Sequence, residues 1–314
     1  MIRATAPNAP RILAVGSVNM DLVLRAERLP AAGETVVGRD YAYIPGGKGA
    51  NQAVAASRMG ASVVFVGRVG ADVHGASLKK GLAGQGIDTR NLAETEAAPT
   101  GLAAILLDES GQNRIIIYPG ANFHIPETAV AGAFESEGID GVVVNLEIPD
   151  GIVKKTCAEA RRRGVPVILD AGPVRSFDRS IIEGVEILSP NESETNALTG
   201  LDCGGRESAE QAARALMRAL KPRYVVLKLG ERGALLCDGE GCEHFPSYKV
   251  EAVDATAAGD AFTGALACEY LKSGDIRAAV RTAVAAGALA VTRLGAQPSL
   301  PTAAEVREFM KEPR

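Results

Sequence analysis

The sequence predicts an α/β protein: a Rossmann-like, mainly parallel central sheet with helices on both faces, plus a small β-sheet lid. Three observations carry this. Four short apolar runs occupy the second half, at 141–146 (GVVVNL), 165–170 (VPVILD), 185–189 (VEILS) and 224–228 (YVVLK). Helical stretches near 150–163, 191–199 and 206–220 separate them. Strands with no solvated face, alternating with helices, belong to parallel sheets covered on both sides. Two early β-prone stretches, 17–45 and 101–120, break that alternation and read as strands added beside the main sheet.

The elements follow in order. Residues 1–10 read as a disordered tail. Arg11-Ile12-Leu13-Ala14-Val15-Gly16 is a buried strand ending in glycine, and alternating strands follow at 20–26 and 35–44. The Ala-rich stretch 49–59 is a helix stopped by Gly60. A strand at 63–67 and a helix at 73–84 come next, then a hairpin of 101–107 and 113–118 turning at Asp108-Glu109-Ser110-Gly111-Gln112. Beyond the alternating half, Asp254–Phe262 opens an amphipathic helix with Phe262, Leu266 and Tyr270 on one face and Gly274 as its stop. No repeat or long linker appears, so 11–314 reads as a single α/β domain with lid strands inserted from about 17–45 and 101–120.

Composition narrows the function. Lys and Arg number 34 against 38 Asp and Glu, a net charge of −4, which argues against a basic nucleic-acid surface. Aromatics are 4% with no Trp, so a base-stacking platform is not expected. No apolar run approaches the ~18 residues of a membrane helix, and the start carries no secretory apolar core, so no membrane partner is expected. Five cysteines without a C-x-x-C read as reduced thiols of a cytoplasmic protein, and His74, His124 and His244 are scattered.

Ligands of open parallel sheets bind at the carboxyl ends of the strands. Five polar or glycine clusters fall there: Gly16-Ser17-Val18-Asn19, Asn145-Leu146-Glu147, Asp170-Ala171-Gly172, Ser189-Pro190-Asn191-Glu192 and Lys228-Leu229-Gly230. In Asp254-Ala255-Thr256-Ala257-Ala258-Gly259-Asp260, small residues at a helix N-terminus leave amides open to an anion, and Asp260 in the first turn could take a proton from an attacking hydroxyl. An ordinary stabilising first-turn acid reads equally well. Gly46-Gly47-Lys48-Gly49-Ala50-Asn51 resembles a phosphate loop, but a P-loop needs Gly at 42 and Ser or Thr at 49, where Ala42 and Gly49 stand. The segment binds hydroxyls through Lys48 and Asn51, or is a plain tight turn. No G-x-G-x-x-G follows a strand, which disfavours a nicotinamide oxidoreductase. Asn19 and Asp21, two apart on an extended chain, share a face and suit a diol; a local Asx turn competes. Glu192 and Glu194 could hold Mg²⁺ through water, or simply stabilise a helix start.

Taken in this order, the segments resemble the ribokinase family of carbohydrate kinases. GGKGANQA at 46–53 is similar to the family's N-terminal signature and TAAGDAF at 256–262 to its C-terminal one, with GSVNMD at 16–21, NESE at 191–194 and VTRLGAQPS at 291–299 in support. The resemblance runs from Gly16 to Ser299. It implies ATP-dependent phosphorylation of D-ribose at O5; 2-deoxyribose, another sugar or a nucleoside are alternatives within the class, and a non-catalytic sugar sensor lies outside it. It implies Asp260 as catalytic base, an anion hole at Ala257, Ala258 and Gly259, and sugar binding by Asn19, Asp21, Gly46, Gly47, Lys48, Asn51 and Glu147. Asn191, Lys228, Gly230 and Gly259 would serve the nucleotide. Glu194 would hold Mg²⁺ through water. Asp254, Thr256, Ala290, Arg293, Gly295 and Ser299 would surround an activating K⁺. The lid would pair subunits into a homodimer. Two positions depart from the family: Ala255 follows Asp254 where threonine is usual, and Asp170-Ala171-Gly172-Pro173 replaces an Asn/Asp-Pro-Ala-Pro stretch.

Overall fold

A computed structural model describes residues 9–110, 112–135 and 138–311. Most of the expected tail and Gly111 of the hairpin turn lie outside the described residues. Pro10 is an exception to the tail: it is buried, and its carbonyl accepts the Ser62 N–H at 2.9 Å.

The strands are β1 (Arg11–Val15), β2 (Asn19–Ala26), β3 (Gly38–Gly46), β4 (Ser62–Gly70), β5 (Leu92–Thr95), β6 (Gly101–Leu107), β7 (Asn113–Tyr118), β8 (Gly141–Asn145), β9 (Val167–Asp170), β10 (Ile187–Ser189), β11 (Tyr224–Lys228), β12 (Ala234–Cys237) and β13 (Cys242–Phe245). The helices are α1 (Lys48–Arg58), α2 (Val73–Gly84), α3 (Glu127–Phe134), α4 (Asp150–Arg163), α5 (Glu192–Thr199), α6 (Arg206–Leu220), α7 (Ala258–Ser273), α8 (Ile276–Ala290) and α9 (Ala303–Phe309).

Among the described residues the strands form a nine-stranded sheet, ordered β13-β12-β11-β10-β9-β8-β1-β4-β5, and a four-stranded sheet, ordered β3-β2-β6-β7. The large sheet is parallel from β5 to β11, with β12 and β13 antiparallel at one edge. Successive residues of β1 enter opposite cores. Ile12 and Ala14 join the core that α1, α7 and α8 cover; Leu13 and Val15 join the one that α3, α4 and α6 cover. This two-sided burial makes the strand runs uniformly apolar. From β1 the chain crosses to β4 on one side and later to β8 on the other. The crossovers therefore diverge at β1 and β8, the switch point above whose carboxyl ends sheets of this kind bind their ligands. The small sheet springs from the same place, because β2 leaves β1 and β3 returns directly into α1.

Three expectations change. Helix α7 is buried from Asp260 through Cys268, not on one face only, because it lies between α1 and α8. Its small residues permit this: a Cβ on Gly264 would come 2.8 Å from the Ala56 backbone nitrogen. The second early strand starts at Gly38 rather than 35. The cysteines are not all reduced: Cys237 and Cys242 form a disulfide, while Cys157, Cys203 and Cys268 are free and buried. Register explains the pair, since these two residues stand opposite each other across β12 and β13. The hairpin turns at Asp238–Gly241, where the Asp238 N–H donates to the Gly241 carbonyl at 2.9 Å, and its Asp-Gly pair is a turn signal in the sequence.

Candidate active site

The turn from β3 into α1 is built to press against the exit of β1. Gly47 caps α1 at φ 88°, a left-handed conformation that suits glycine. A Cβ there would come 2.7 Å from the Asn19 nitrogen, and one on Gly49 would come 2.6 Å from the Gly16 Cα. A Cβ on Gly46 would collide with the Asp21 carboxylate, so that carboxylate lies directly over the Gly46 backbone. Asn19 pairs with Gly46 in the β2–β3 register, and Asn19 and Asp21 share one face. Glu147, just past β8, accepts from the Ser17 hydroxyl and, at 3.2 Å, from the Lys48 N–H. Burial, with the Glu147 and Asp260 carboxylates nearby, pushes Asp21 up to about 7.

Asp260 meets this turn from α7. Its Oδ2 accepts from Asn51 Nδ2 at 2.9 Å and its Oδ1 from Gln52 Nε2 at 3.0 Å. Both amides sit within the first five residues of α1, so the carboxylate and the glycine turn are joined directly. Burial pushes Asp260 up to about 6; the Lys48 charge opposes this and the Asp170 charge adds to it. At the head of α7, Ala257 holds φ 60°, uncommon for a residue with a Cβ. The Gly259 N–H has no hydrogen-bond partner among the described residues, whereas the Ala258 N–H already donates to the Ala255 carbonyl at 3.2 Å.

A second charged group faces the same helix start. Asp170, wholly buried at the end of β9, accepts from Lys228 Nζ at 2.7 Å and Thr263 Oγ1 at 3.2 Å, with Lys48 Nζ at 3.7 Å. Burial alone would raise this carboxyl; the two ammonium groups outweigh it and hold it below the usual range. The carboxylates around Lys48 likewise outweigh its burial and raise its pKa. Lys228 Nζ lies 3.9 Å from where a Cβ on Gly259 would stand. Beside it opens a cavity of about 1000 Å³, lined among others by Lys228, Gly230, His244, Tyr248, Gly259 and Ala288, large enough for a nucleotide.

The acidic helix start at α5 is partly committed to structure. Asn191 and Glu194 form a capping box: Glu194 N donates to Asn191 Oδ1 and Asn191 N to Glu194 Oε2, both at 2.8 Å. The other Glu194 oxygen faces Gly172, where a Cβ would strike it. Glu192 instead pairs with Arg232 and Asp202–Gly205 lies nearby through the Arg232 bond to the Gly204 carbonyl. Asp254 accepts from Gly295 N at 2.8 Å and Thr256 N at 2.9 Å, which brings the loop before α7 against the turn at 290–299. The Ala290 carbonyl accepts from Arg293 N at 3.2 Å, and Ser299 Oγ donates to the Ala296 carbonyl at 2.9 Å.

The structure thus gathers Asn19, Asp21, Gly46, Gly47, Lys48, Asn51, Glu147 and Asp260 around one crevice, with Lys228, Gly230 and Gly259 along the adjoining cavity. Gln52, Asp170, Thr263 and Ser17 were not singled out individually by the sequence. Gln52 could have been, because it adjoins Asn51 on a buried first turn; Thr263 could not, because only packing brings it to Asp170.

A parallel sheet with a crevice at its switch point, a buried carboxylate between a diol-sized polar face and a nucleotide-sized cavity, and an open helix N-terminus define a small-molecule phosphotransferase. Residues 9–303 match the family described as pfkB family carbohydrate kinase. The chain is 36% identical to the ribokinase of Bacillus subtilis, over 95% of this chain and 99% of that one. It is 32% identical to a deoxyribokinase of Salmonella typhimurium, over 95% and 98%. A structure of Arabidopsis thaliana ribokinase complexed with ribose and ATP superposes with a TM-score of 0.88 at 34% identity, covering 97% of this chain and 100% of that one. The chain belongs to the pfkB family of carbohydrate kinases, and it is an ATP-dependent sugar kinase.

Proposed function

We propose that the protein phosphorylates D-ribose at O5. The observation that carries this reading is the placement of Asp260, held by Asn51 and Gln52 between the Asn19–Asp21 face and the cavity at Gly259 and Lys228. Similarity to ribokinases over nearly the whole chain supports ribose, and the Arabidopsis relative was solved with ribose and ATP. The sugar lies over Gly46 and Gly47, with its hydroxyls on Asn19, Asp21, Lys48, Asn51 and Glu147. Asp260 accepts the proton of the primary alcohol as that oxygen attacks the γ-phosphorus in line. The bond from phosphorus to the bridging oxygen breaks, and ADP leaves. The free Gly259 amide, with the α7 dipole, receives the charge that builds on the transferred group, and those of Ala257 and Ala258 join it once the Ala258 N–H leaves the Ala255 carbonyl. Lys48 and Lys228, both anchored on Asp170, add fixed positive charge at the transfer path.

The kinase family implies a divalent metal, and the residues fit Mg²⁺ carried with the nucleotide: one Glu194 oxygen is committed to the Asn191 cap and one remains for a metal-bound water. The ion would neutralise the donor's phosphate oxygens. For K⁺ the fit is an oxygen set, with Asp254 held where its loop meets the 290–299 turn; Thr256, Ala290, Arg293, Gly295 and Ser299 complete it. We read 11–314 as one catalytic domain carrying its lid, paired with a second copy through the lid, acting in the cytoplasm where ATP is maintained. No helix among the described residues is long and apolar enough to cross a membrane. A deoxyribokinase at 32% identity makes 2-deoxyribose the second reading.

Asp260→Asn tests the mechanism. With ribose and ATP, kcat should fall at least ~100-fold, the usual range for removing a general base, while ATP affinity stays within a few-fold. A variant keeping most of its turnover removes Asp260 as the base.

A further inference from the structure

Asn122 lies outside every segment the sequence singled out, in a short 3-10 turn (Gly120–His124) that follows β7. It is 1% exposed. Its Oδ1 accepts from the Val18 N–H at 2.9 Å, and its Nδ2 donates to the Val18 carbonyl at 3.2 Å and to Asn19 Oδ1 at 2.7 Å. The main chain fixes this arrangement. An N–H can only donate and a carbonyl can only accept, so neither amide can be turned over. The oxygen of Asn19 is therefore turned toward Asn122, and its amino group faces away with no hydrogen-bond partner among the described residues. Gly101, paired with Asn19 in the β2–β6 register, leaves the room: a Cβ there would strike both side chains.

We infer that Asn122 is a positioning residue for sugar recognition, which locks Asn19 as a hydrogen-bond donor. The inference rests on the reading of Asn19 and Asp21 as the sugar-binding face. Above about pH 7, where Asp21 is ionised, a group bridging them must accept from Asn19 and donate to Asp21. A hydroxyl does both. An ammonium can only donate and an ether oxygen can only accept, so both are refused at this position.

The test is steady-state kinetics with ATP and a panel of ribose and its deoxy analogues. Asn122→Asp keeps the size and the acceptor for Val18 N–H, but sets an oxygen against Asn19, which must then turn its own oxygen to the sugar. The KM for the sugar should rise about tenfold or more, the usual scale for one mismatched polar contact, with kcat reduced by a much smaller factor and the ATP KM unmoved. In an Asn19→Ala background the same change should add less than a factor of about two to KM. A sugar KM within twofold of the parent, or KM effects that multiply in the double variant, overturns the inference. Should Asn122→Asp fail to fold, Asn19→Asp decides alone: it offers the sugar only an acceptor, so an unchanged KM means Asn19 was never a donor. A parent enzyme inactive on the whole panel instead sinks the sugar assignment itself.

Discussion

Asp260 and Asp21 are carboxylates held away from water beside one another, and both are pushed upward for that reason. A base works only when ionised. Since Asp260 is raised to about 6, kcat/KM should fall on the acid side with a limb near pH 6 and level off above it. A limb at the ordinary carboxylate position, near 4, would mean the base is another group or Asp260 is less buried in solution. For Asp21 the linkage concerns stability. Below its unfolded value both states are protonated and the group is neutral in effect. As pH rises from there to about 7, the unfolded chain ionises while the folded site holds its proton, so folding becomes progressively less favourable. Asp21→Asn should therefore raise Tm by a few degrees at pH 8 and by nothing at pH 4, read by calorimetry without sugar. An equal gain at both pH values would assign the effect to packing. The same variant should bind ribose poorly, which is the balance expected where a site holds a charge the fold would shed.

Helix α1 shows how an element carries function. Its N-terminus can approach β1 only because Gly47 and Gly49 have no side chains, and that approach puts Asn51 and Gln52 under Asp260. Gly47→Ala asks a Cβ to occupy space 2.7 Å from the Asn19 nitrogen at a φ of 88°. The change should destabilise by about 1–3 kcal/mol from backbone strain alone, more with the clash, and lower kcat/KM by displacing the amides from Asp260. Denaturant melts and kinetics on one preparation check both; unchanged activity would show that the turn is not coupled to the base. Helix α7 makes the complementary point. It is buried from Asp260 through Cys268, so the Asp260 carboxylate is held away from water while the helix start at Ala257–Gly259 stays half-buried beside the cavity.

The whole molecule joins a covered sheet to an uncovered one. In β7 every residue is exposed, including Ile116 at 73% and Tyr118 at 52%, and Tyr41 of β3 is 67% exposed. A strand carrying that much exposed apolar surface suits pairing with another chain, which supports the proposed dimer through the lid. Ile116→Lys should shift the protein toward monomer in sedimentation velocity at micromolar concentration. A dimer of unchanged affinity would place the interface elsewhere, and a monomeric parent would remove it altogether.

The architecture was legible in the order of residues. Buried parallel strands must be apolar throughout and the helices between them must carry caps, so the 141–228 alternation could be read directly, as could the two stray β stretches that form the small sheet. The same order also marked both ends of the site, because close backbone approach demands glycine at 46, 47 and 49 and an open helix start demands small residues before Asp260. Which of these residues meet is a matter of the folded arrangement. Asn122 reaches Asn19 across 103 residues, Asp170 reaches Lys228 across 58 and Asp260 reaches Asn51 across 209. The Asp238-Gly239 pair marks the β12–β13 turn locally, but only the register formed across it sets Cys237 opposite Cys242. Local pattern records what each residue can do, whereas hydrogen bonds between distant segments exist only once burial has brought those segments together.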